Sequence, residues 1–508
     1  MRQRTLVTAA TLTALAAGGL VVPLAAAGPA AAGPAAAEPA AAGPAAATTP
    51  SPQDEKTARE DFNGDGYADV AIGVPEAGGK AGAVVVTYGS ASGVSPSRSV
   101  RVTQDTAGVP GVAEAGDQFG ENVTSGDVNH DGYADLIVGA PHEKVDGKPD
   151  GSLSIVWGGA KGLTSGGIAL GAPTAEDRNF GEGASFSDLD GDGTAQLQVV
   201  SGRHFWWYSE VPPQGDGSDV PLPLEDDFLP DDVQLDGVAA GHFSGGSGNG
   251  NSDYVVYGKR GSGDGAGGGG GDYLATFRGG PGDIGYHHDV LSDGGAGTTR
   301  SVAAGDIDKD GATDLVTGEQ AGGDGSGSVT VWWGAPGGLG TGREPVGYDQ
   351  TDAGVPGTAE DGDRFGADVS VGDVTGDGYA DIAVGVPSEV VRGTDAGAVV
   401  LLKGSADGVS ATGAQLFHQE TTGVPGAAED GDRFGSGVHL ADIDGDGRAD
   451  LFAAAEGEDI GTVTDAGAVW VLRGASSGLT TSGVASFDAT DFGFTGAAGL
   501  RFGEVFDH

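Results

Sequence analysis

The phrase GDVNHDGYADLIVGAP, from Gly126 to Pro141, returns along the chain at nearly even intervals, and no other feature limits the fold as much. It recurs as DFNGDGYADVAIGVP from Asp61, GDIDKDGATDLVTGE from Gly305, GDVTGDGYADIAVGVP from Gly372 and ADIDGDGRADLFAAAE from Ala441. SDLDGDGTAQLQVVSG from Ser187 is a weaker copy, and GHFSGGSGNGNSDYVVYG from Gly241 keeps little beyond an apolar run and one Asp. The leading positions of these seven copies, Asp61, Asp127, Asp188, His242, Asp306, Asp373 and Asp442, lie 66, 61, 54, 64, 67 and 69 residues apart by subtraction. A chain built this way folds as an array of one supersecondary unit.

Each unit runs from its acidic loop through a short apolar segment to a second one ending in a Gly turn, as in AGAVVVTYGSASGV from Ala81 and AGAVVLLKGSADGV from Ala396. Apolar runs of this length between Gly and Pro read as strands, and no helical period competes with them. About four strands per unit, seven times over, predicts an all-β, seven-bladed β-propeller across 58–508.

The acidic loop has its own chemistry. In Asp127-x-Asn129-x-Asp131-Gly132-x-x-x-Asp135, oxygen-bearing side chains fall at positions 1, 3, 5 and 9, a Gly at position 6 permits the sharp bend, and the carbonyl of Tyr133 at position 7 adds an oxygen. Without a cation the carboxylates would repel one another. The same template predicts calcium ligands at Asp61, Asn63, Asp65, Tyr67 and Asp69, and at Asp306, Asp308, Asp310, Ala312 and Asp314. It also predicts them at Asp373, Thr375, Asp377, Tyr379 and Asp381, and at Asp442, Asp444, Asp446, Arg448 and Asp450. The loop 188–196 keeps Asp188, Asp190 and Asp192 but has the neutral Gln196 at position 9, so about five calcium sites and a sixth, weaker one are expected, while 242–253 is degenerate. No Glu stands at position 12 and strands follow the loops, which excludes helix-flanked EF-hands; magnesium, which keeps its waters, suits such a flexible all-oxygen turn less well.

GVPGVAEAGDQFGENV from Gly108, GVPGTAEDGDRFGADV from Gly354 and GVPGAAEDGDRFGSGV from Gly423 precede several loops. A Phe-Gly strand, the acidic loop and a GAP or GVP exit together resemble the FG-GAP repeat, and seven of them resemble the amino-terminal head of integrin alpha chains. The resemblance implies calcium on one face of a propeller and partners on the opposite face and its rim. Leg domains, a membrane span and an inserted metal-dependent ligand domain are not expected here, so integrin signalling is not carried over by the resemblance. Phe119, Phe180, Phe365 and Phe434 each stand eight residues before their loop, yet none precedes Asp61. The missing Phe-Gly is found at the far end, in LRFGEVFDH, so the carboxyl-terminal strand is expected to complete blade one.

Residues 1–27 carry Arg2 and Arg4, an apolar run and a small-residue end at Ala25-Ala26-Ala27, the layout of a secretory signal, and 28–57 is a Pro and Ala tract suited to a solvated tether. The propeller is therefore expected outside the cell, as a monomer. With no Cys, nothing in the chain can be disulfide-braced. A formal net charge of -49 argues against nucleic acid and anionic membranes as partners.

No catalytic residue is assigned. Ser476 in GASSG matches a nucleophile elbow but aligns with turn residues of other blades; His142-Glu143 lacks a second His, and His287-His288 sits in a Gly-rich loop. Trp157, Trp332, Trp333 and Trp470 read as blade packing, whereas Trp206, Trp207 and Tyr208 are candidates for stacking on a sugar or anchoring a partner. The reading is a calcium-binding adhesion platform for an extracellular protein or glycan. A polysaccharide-active propeller, lectin or lyase, and a stand-alone relative of a phospholipase accessory propeller are the alternatives.

Overall fold

The computed structural model describes residues 60–507 apart from 146–147, 150, 164–165, 175–176, 209–210, 212–221, 224–228, 246–251, 262–270, 281–287, 294–298, 322–324 and 496–497. The expected signal segment and tether lie outside the described residues, as do His287 and the glycine tract 262–270.

Seven four-stranded antiparallel sheets follow one another. Blade two is typical: Asn122–Gly126, Asp135–Ala140, Ser152–Val156 and Gly167–Gly171 pair in chain order from the axis outwards. Blade one differs in origin. Its three local strands, Val70–Gly73, Val84–Thr87 and Ser99–Val102, accept Val505–Phe506 as their innermost partner, with Ile72 opposite Phe506 and Gly73 opposite Val505. The expected closure is thus formed, and no blade edge is left open at the seam. Among the described residues helix is limited to a turn at Ala77–Lys80 and 3-10 pieces at Pro96–Arg98 and Ala489–Phe492.

The strands do not alternate between apolar and polar because both of their faces are covered. Seven hydrophobic clusters lie between successive blades. One joins Val84 and Val86 of blade one to Val123, Leu136 and Val138 of blade two; another joins Phe452, Val469 and Val471 of blade seven to Ile72, Val85 and Phe506. The core is thus divided into wedges and not gathered at a centre. The innermost strands surround a central cavity of about 460 Å³ whose lining includes Glu121, Glu182, Asp236 and Asp368.

The Phe-Gly and GAP elements meet at these wedges. Phe119, Phe365 and Phe434 are fully buried and bridge in parallel to Gly82, Gly327 and Gly397, each just before the third strand of the preceding blade. The GAP glycine then lies against the next blade's Phe-Gly carbonyl. A Cβ on Gly139 would run into the carbonyl oxygen of Gly181, and one on Gly385 into that of Gly435. Backbone touches backbone here, and only glycine leaves the room.

Candidate metal centres

The first carboxylate of each loop organises the turn. Asp61 Oδ1 accepts the backbone N–H groups of Gly64 (2.7 Å) and Asp65 (3.1 Å), and its Oδ2 that of Gly66 (2.8 Å). Asp373 repeats this with Gly376, Asp377 and Gly378, and Asp442 with Gly445, Asp446 and Gly447. Asp127 and Asp306 keep the bonds to the fifth and sixth residues, and Asp188 those to Gly191 and Gly193. The position-5 carboxylate accepts from the position-7 N–H, as Asp65 does from Tyr67, Asp131 from Tyr133, Asp310 from Ala312, Asp377 from Tyr379 and Asp446 from Arg448.

The position-6 glycines are left-handed, as the template requires, but so is position 4: Gly64, Gly376 and Gly445 have φ of 71 to 72°, and His130 and Lys309 are held at 60 and 61°. That requirement is visible as the first Gly of NGDG, TGDG and DGDG, a signal that the ligand pattern alone passes over.

Position 9 plays a part that a ligand count does not suggest. Asp69, Asp135, Asp314, Asp381 and Asp450 are buried. In the first four, one oxygen accepts the position-2 N–H at 3.0 Å; in all five the other accepts the N–H of a glycine beyond the third strand, Gly89, Gly158, Gly334, Gly404 or Gly474, at 2.8 to 3.0 Å. Each therefore pins its loop to its blade. Burial pushes Asp69 up to about 8 and the other four to about 7, against the pull of those N–H groups. Gln196 takes the same place, accepting from Leu189 at 2.7 Å. In degenerate blade four Asp253 does so, bonded by Ser244 and Gly279 N–H.

Successive loops are hydrogen-bonded to one another on one face at five of the seven blade junctions in the same way. The N–H at position 8 donates to the position-1 carbonyl of the preceding loop: Ala134 to Asp61, Thr313 to His242, Ala380 to Asp306, Ala449 to Asp373 and, across the seam, Ala68 to Asp442. Tyr133 lies over Gly64, and Tyr67 over Gly445, in the same sense.

Among the described residues three loops bring carboxylates together closely, with one oxygen from each member within 4.8 Å of the others: Asp188, Asp190 and Asp192; Asp306, Asp308 and Asp314; Asp442, Asp444 and Asp446. In the loops from Asp61, Asp127 and Asp373, position 3 is Asn63, Asn129 or Thr375, so the charge is lower. Wherever position 3 is a carboxylate, a side-chain donor meets it. Gln196 reaches Asp190 (3.1 Å), Arg343 reaches Asp308 (2.8 Å) and Arg473 bridges Asp444 (2.6 Å) and Asp450 (2.9 Å). Asp308 Oδ1 nevertheless stays buried without a partner among the described residues. An all-oxygen donor set with such an orphan fits a hard divalent cation.

The aromatic candidates of blade three are placed otherwise than expected. Trp206 and Tyr208 are buried on the third strand, and Trp206 Nε1 donates to Asp177 at 3.0 Å, so neither is free to stack on a ligand; Trp207 is half-buried. Blade three is short, but its aromatic side chains still fill a wedge. Trp333 and Trp470 are buried in theirs, and Ser476 lies in a turn beyond the strand Ala468–Arg473 with no helix after it.

The FG-GAP repeat family profile matches residues 57–87, 119–156, 298–332, 365–402 and 434–472, which are blades one, two, five, six and seven. Integrin alpha-PS5 of Drosophila melanogaster is 33% identical over 152 residues, 28% of this chain and 14% of that relative's length. Among solved structures, BBS1N in complex with ARL6DN, soaked with lead, aligns with a TM-score of 0.38 and 12% identity, over 70% of this chain and 79% of that one. A lectin of Agrocybe aegerita that recognises non-reducing terminal N-acetylglucosamine aligns at 0.31 and 16% identity, over 87% and 84%. The five matched repeats, the integrin alpha segment and the closed seven-bladed ring together show a propeller that carries FG-GAP repeats in five of its blades and resembles that of integrin alpha chains.

Proposed function

We propose that the protein is an exported, non-catalytic binding platform whose propeller is braced by calcium. Asp61, Asn63, Asp65 and Asp69 would hold one ion with the Tyr67 carbonyl, the loops from Asp127, Asp306, Asp373 and Asp442 would hold one each, and the loop from Asp188 a weaker one. Residues 1–27 direct export and 28–57 tether the propeller 58–508. The observation that carries this reading is the set of acidic loops on one face, in which the loops of blades five, six, seven, one and two are hydrogen-bonded head to tail, the seam included. Ions there would fix one face and leave the opposite face and rim for an extracellular protein or glycan, as the integrin resemblance implies. Among the described residues no helix is long and apolar enough to cross a membrane.

The test is retention and cleavage of acidic and neutral polysaccharides and of extracellular proteins by the mature chain, with calcium and with chelator. Calcium-dependent retention without cleavage is expected. Chain cleavage would overturn the non-catalytic reading, and melting that ignores calcium would overturn the brace.

A further inference from the structure

A second set of acidic residues repeats with strict spacing away from the loops. Gln104, Glu114, Asp117 and Glu143 recur as Gln350, Glu360, Asp363 and Glu389, and again as Gln419, Glu429, Asp432 and Glu458, offset by 10, 13 and 39 residues from the Gln each time by subtraction. The Gln follows the outermost strand of one blade. The Glu and Asp lie in the crossover to the next blade, and the last Glu stands three residues beyond that blade's second strand. Antiparallel strands alternate direction, so these turns lie at the end of the blades opposite the acidic loops.

The three sites share their bonds. Glu114, Glu360 and Glu429 donate backbone N–H to Asp117, Asp363 and Asp432 at 2.6 to 2.7 Å. Gln104, Gln350 and Gln419 donate Nε2 to Glu143, Glu389 and Glu458. Each Gln is at least nine-tenths buried, at 3, 6 and 2% exposure, and in each the Oε1 of the same amide has no partner among the described residues. Asp117 Oδ1 is orphaned too. In the first two sites one oxygen from each of the three carboxylates lies within 4.8 Å of the others. Among the described residues no Lys, Arg or His forms an ion pair with any of the nine carboxylates.

Blade three shows what happens when the set is lost. Asp177 accepts the Thr174 N–H at 2.7 Å, as Asp117 accepts that of Glu114, but its other oxygen takes His204 Nδ1 at 2.7 Å and Trp206 Nε1 at 3.0 Å. His204 stands three residues beyond its second strand, the place of Glu143. Where protein donors replace the glutamate, the orphaned oxygen disappears.

The geometry points to three further divalent-cation sites, one at each of these crossovers, taking a calcium-like hard ion through the glutamine Oε1 and the Glu, Asp and Glu carboxylates. Three carboxylates and an amide oxygen suit such an ion, and a buried carbonyl oxygen left without a donor is costly. The ion would clamp the outer strand of one blade to the next blade's second turn.

The test is a count of calcium bound per mature chain by equilibrium dialysis, for the wild type and for the triple variant Glu143→Gln, Glu389→Gln, Glu458→Gln. A loss of three ions is expected; an unchanged count overturns the proposal. The difference does not depend on how many loop sites fill. Should the triple variant not fold, anomalous diffraction from wild-type crystals soaked in a lanthanide decides. Peaks about 2.4 Å from Gln104, Gln350 and Gln419 Oε1 support the sites, and water alone at those positions overturns them.

Discussion

Ile72 of the first strand pairs with Phe506 of the last, and this pairing makes blade one four-stranded. Phe506 and Phe502 are buried in the same cluster as Ile72, Val85 and Phe452. Without the last strand, blade one would present a bare inner edge and the wedge against blade seven would open. Truncation after Gly499 is expected to remove at least two buried Phe side chains, each worth about 3–5 kcal/mol, and to lower the melting temperature sharply or prevent folding. Calorimetry on the truncated chain checks this, and an unchanged melt would contradict the seam.

The GAP glycine offers a gentler probe. A Cβ at Gly385 meets the backbone oxygen of Gly435 and no flexible side-chain end, so the wedge between blades six and seven must shift to admit it. Gly385→Ala is expected to cost about 1–3 kcal/mol, the range of overpacking in a closed core. Gly393→Ala, a control with open space around it, should cost less and only through its positive φ. Equal denaturant midpoints for the two would refute the backbone-contact account.

Repetition made the fold legible: the period, the apolar runs and the displaced Phe-Gly specified blades, strands and closure. The loop carboxylates were equally visible, because Asp at positions 1, 3 and 5 is a local pattern. What could not be read was anything that needs two distant segments. The bonds from Asp69 to Gly89, and from Arg473 to Asp444, depend on where third strands end in space. The role of Gln104 was hidden for the same reason. The sequence displays its repeats at Gln350 and Gln419, but an amide becomes informative only once Glu143, 39 residues on, is seen beside it. Trp206 reads in the sequence as a candidate for stacking on a ligand, because its bond to Asp177, 29 residues back, is visible only in space.

Arg473 gives loop seven a built-in cation paired with two of its carboxylates. Replacing it by Gln removes the ion pairs to Asp444 and to buried Asp450. Charged hydrogen bonds of this kind are worth about 1.5–3 kcal/mol. In metal-free buffer Arg473→Gln should therefore melt below the wild type, and calcium should close most of the gap by taking over the charge. A larger calcium-induced rise in melting temperature than the wild type shows supports this. An equal rise would mean that the guanidinium and the ion do not share the loop.

The position-9 carboxylates fix the sign of the pH response. Burial raises Asp69 to about 8, and Asp135, Asp314, Asp381 and Asp450 to about 7, whereas in the unfolded chain they titrate near the ordinary ~3.9. Between those limits the metal-free folded state binds more protons than the unfolded state, so its stability falls as pH rises from about 4 to about 8. Calcium acts in the opposite sense, because its ligands must be deprotonated and its stabilisation grows over the same window. Metal-stripped protein is therefore expected to melt higher at pH 5 than at pH 8, with the calcium-induced rise larger at pH 8. Asp69→Asn should flatten the metal-free slope, since it removes the most strongly shifted of these groups while the wider charge of the chain stays almost the same. A metal-free melt that is higher at pH 8, or a slope untouched by Asp69→Asn, would show that these carboxylates are ionised in the folded chain without an ion to hold them.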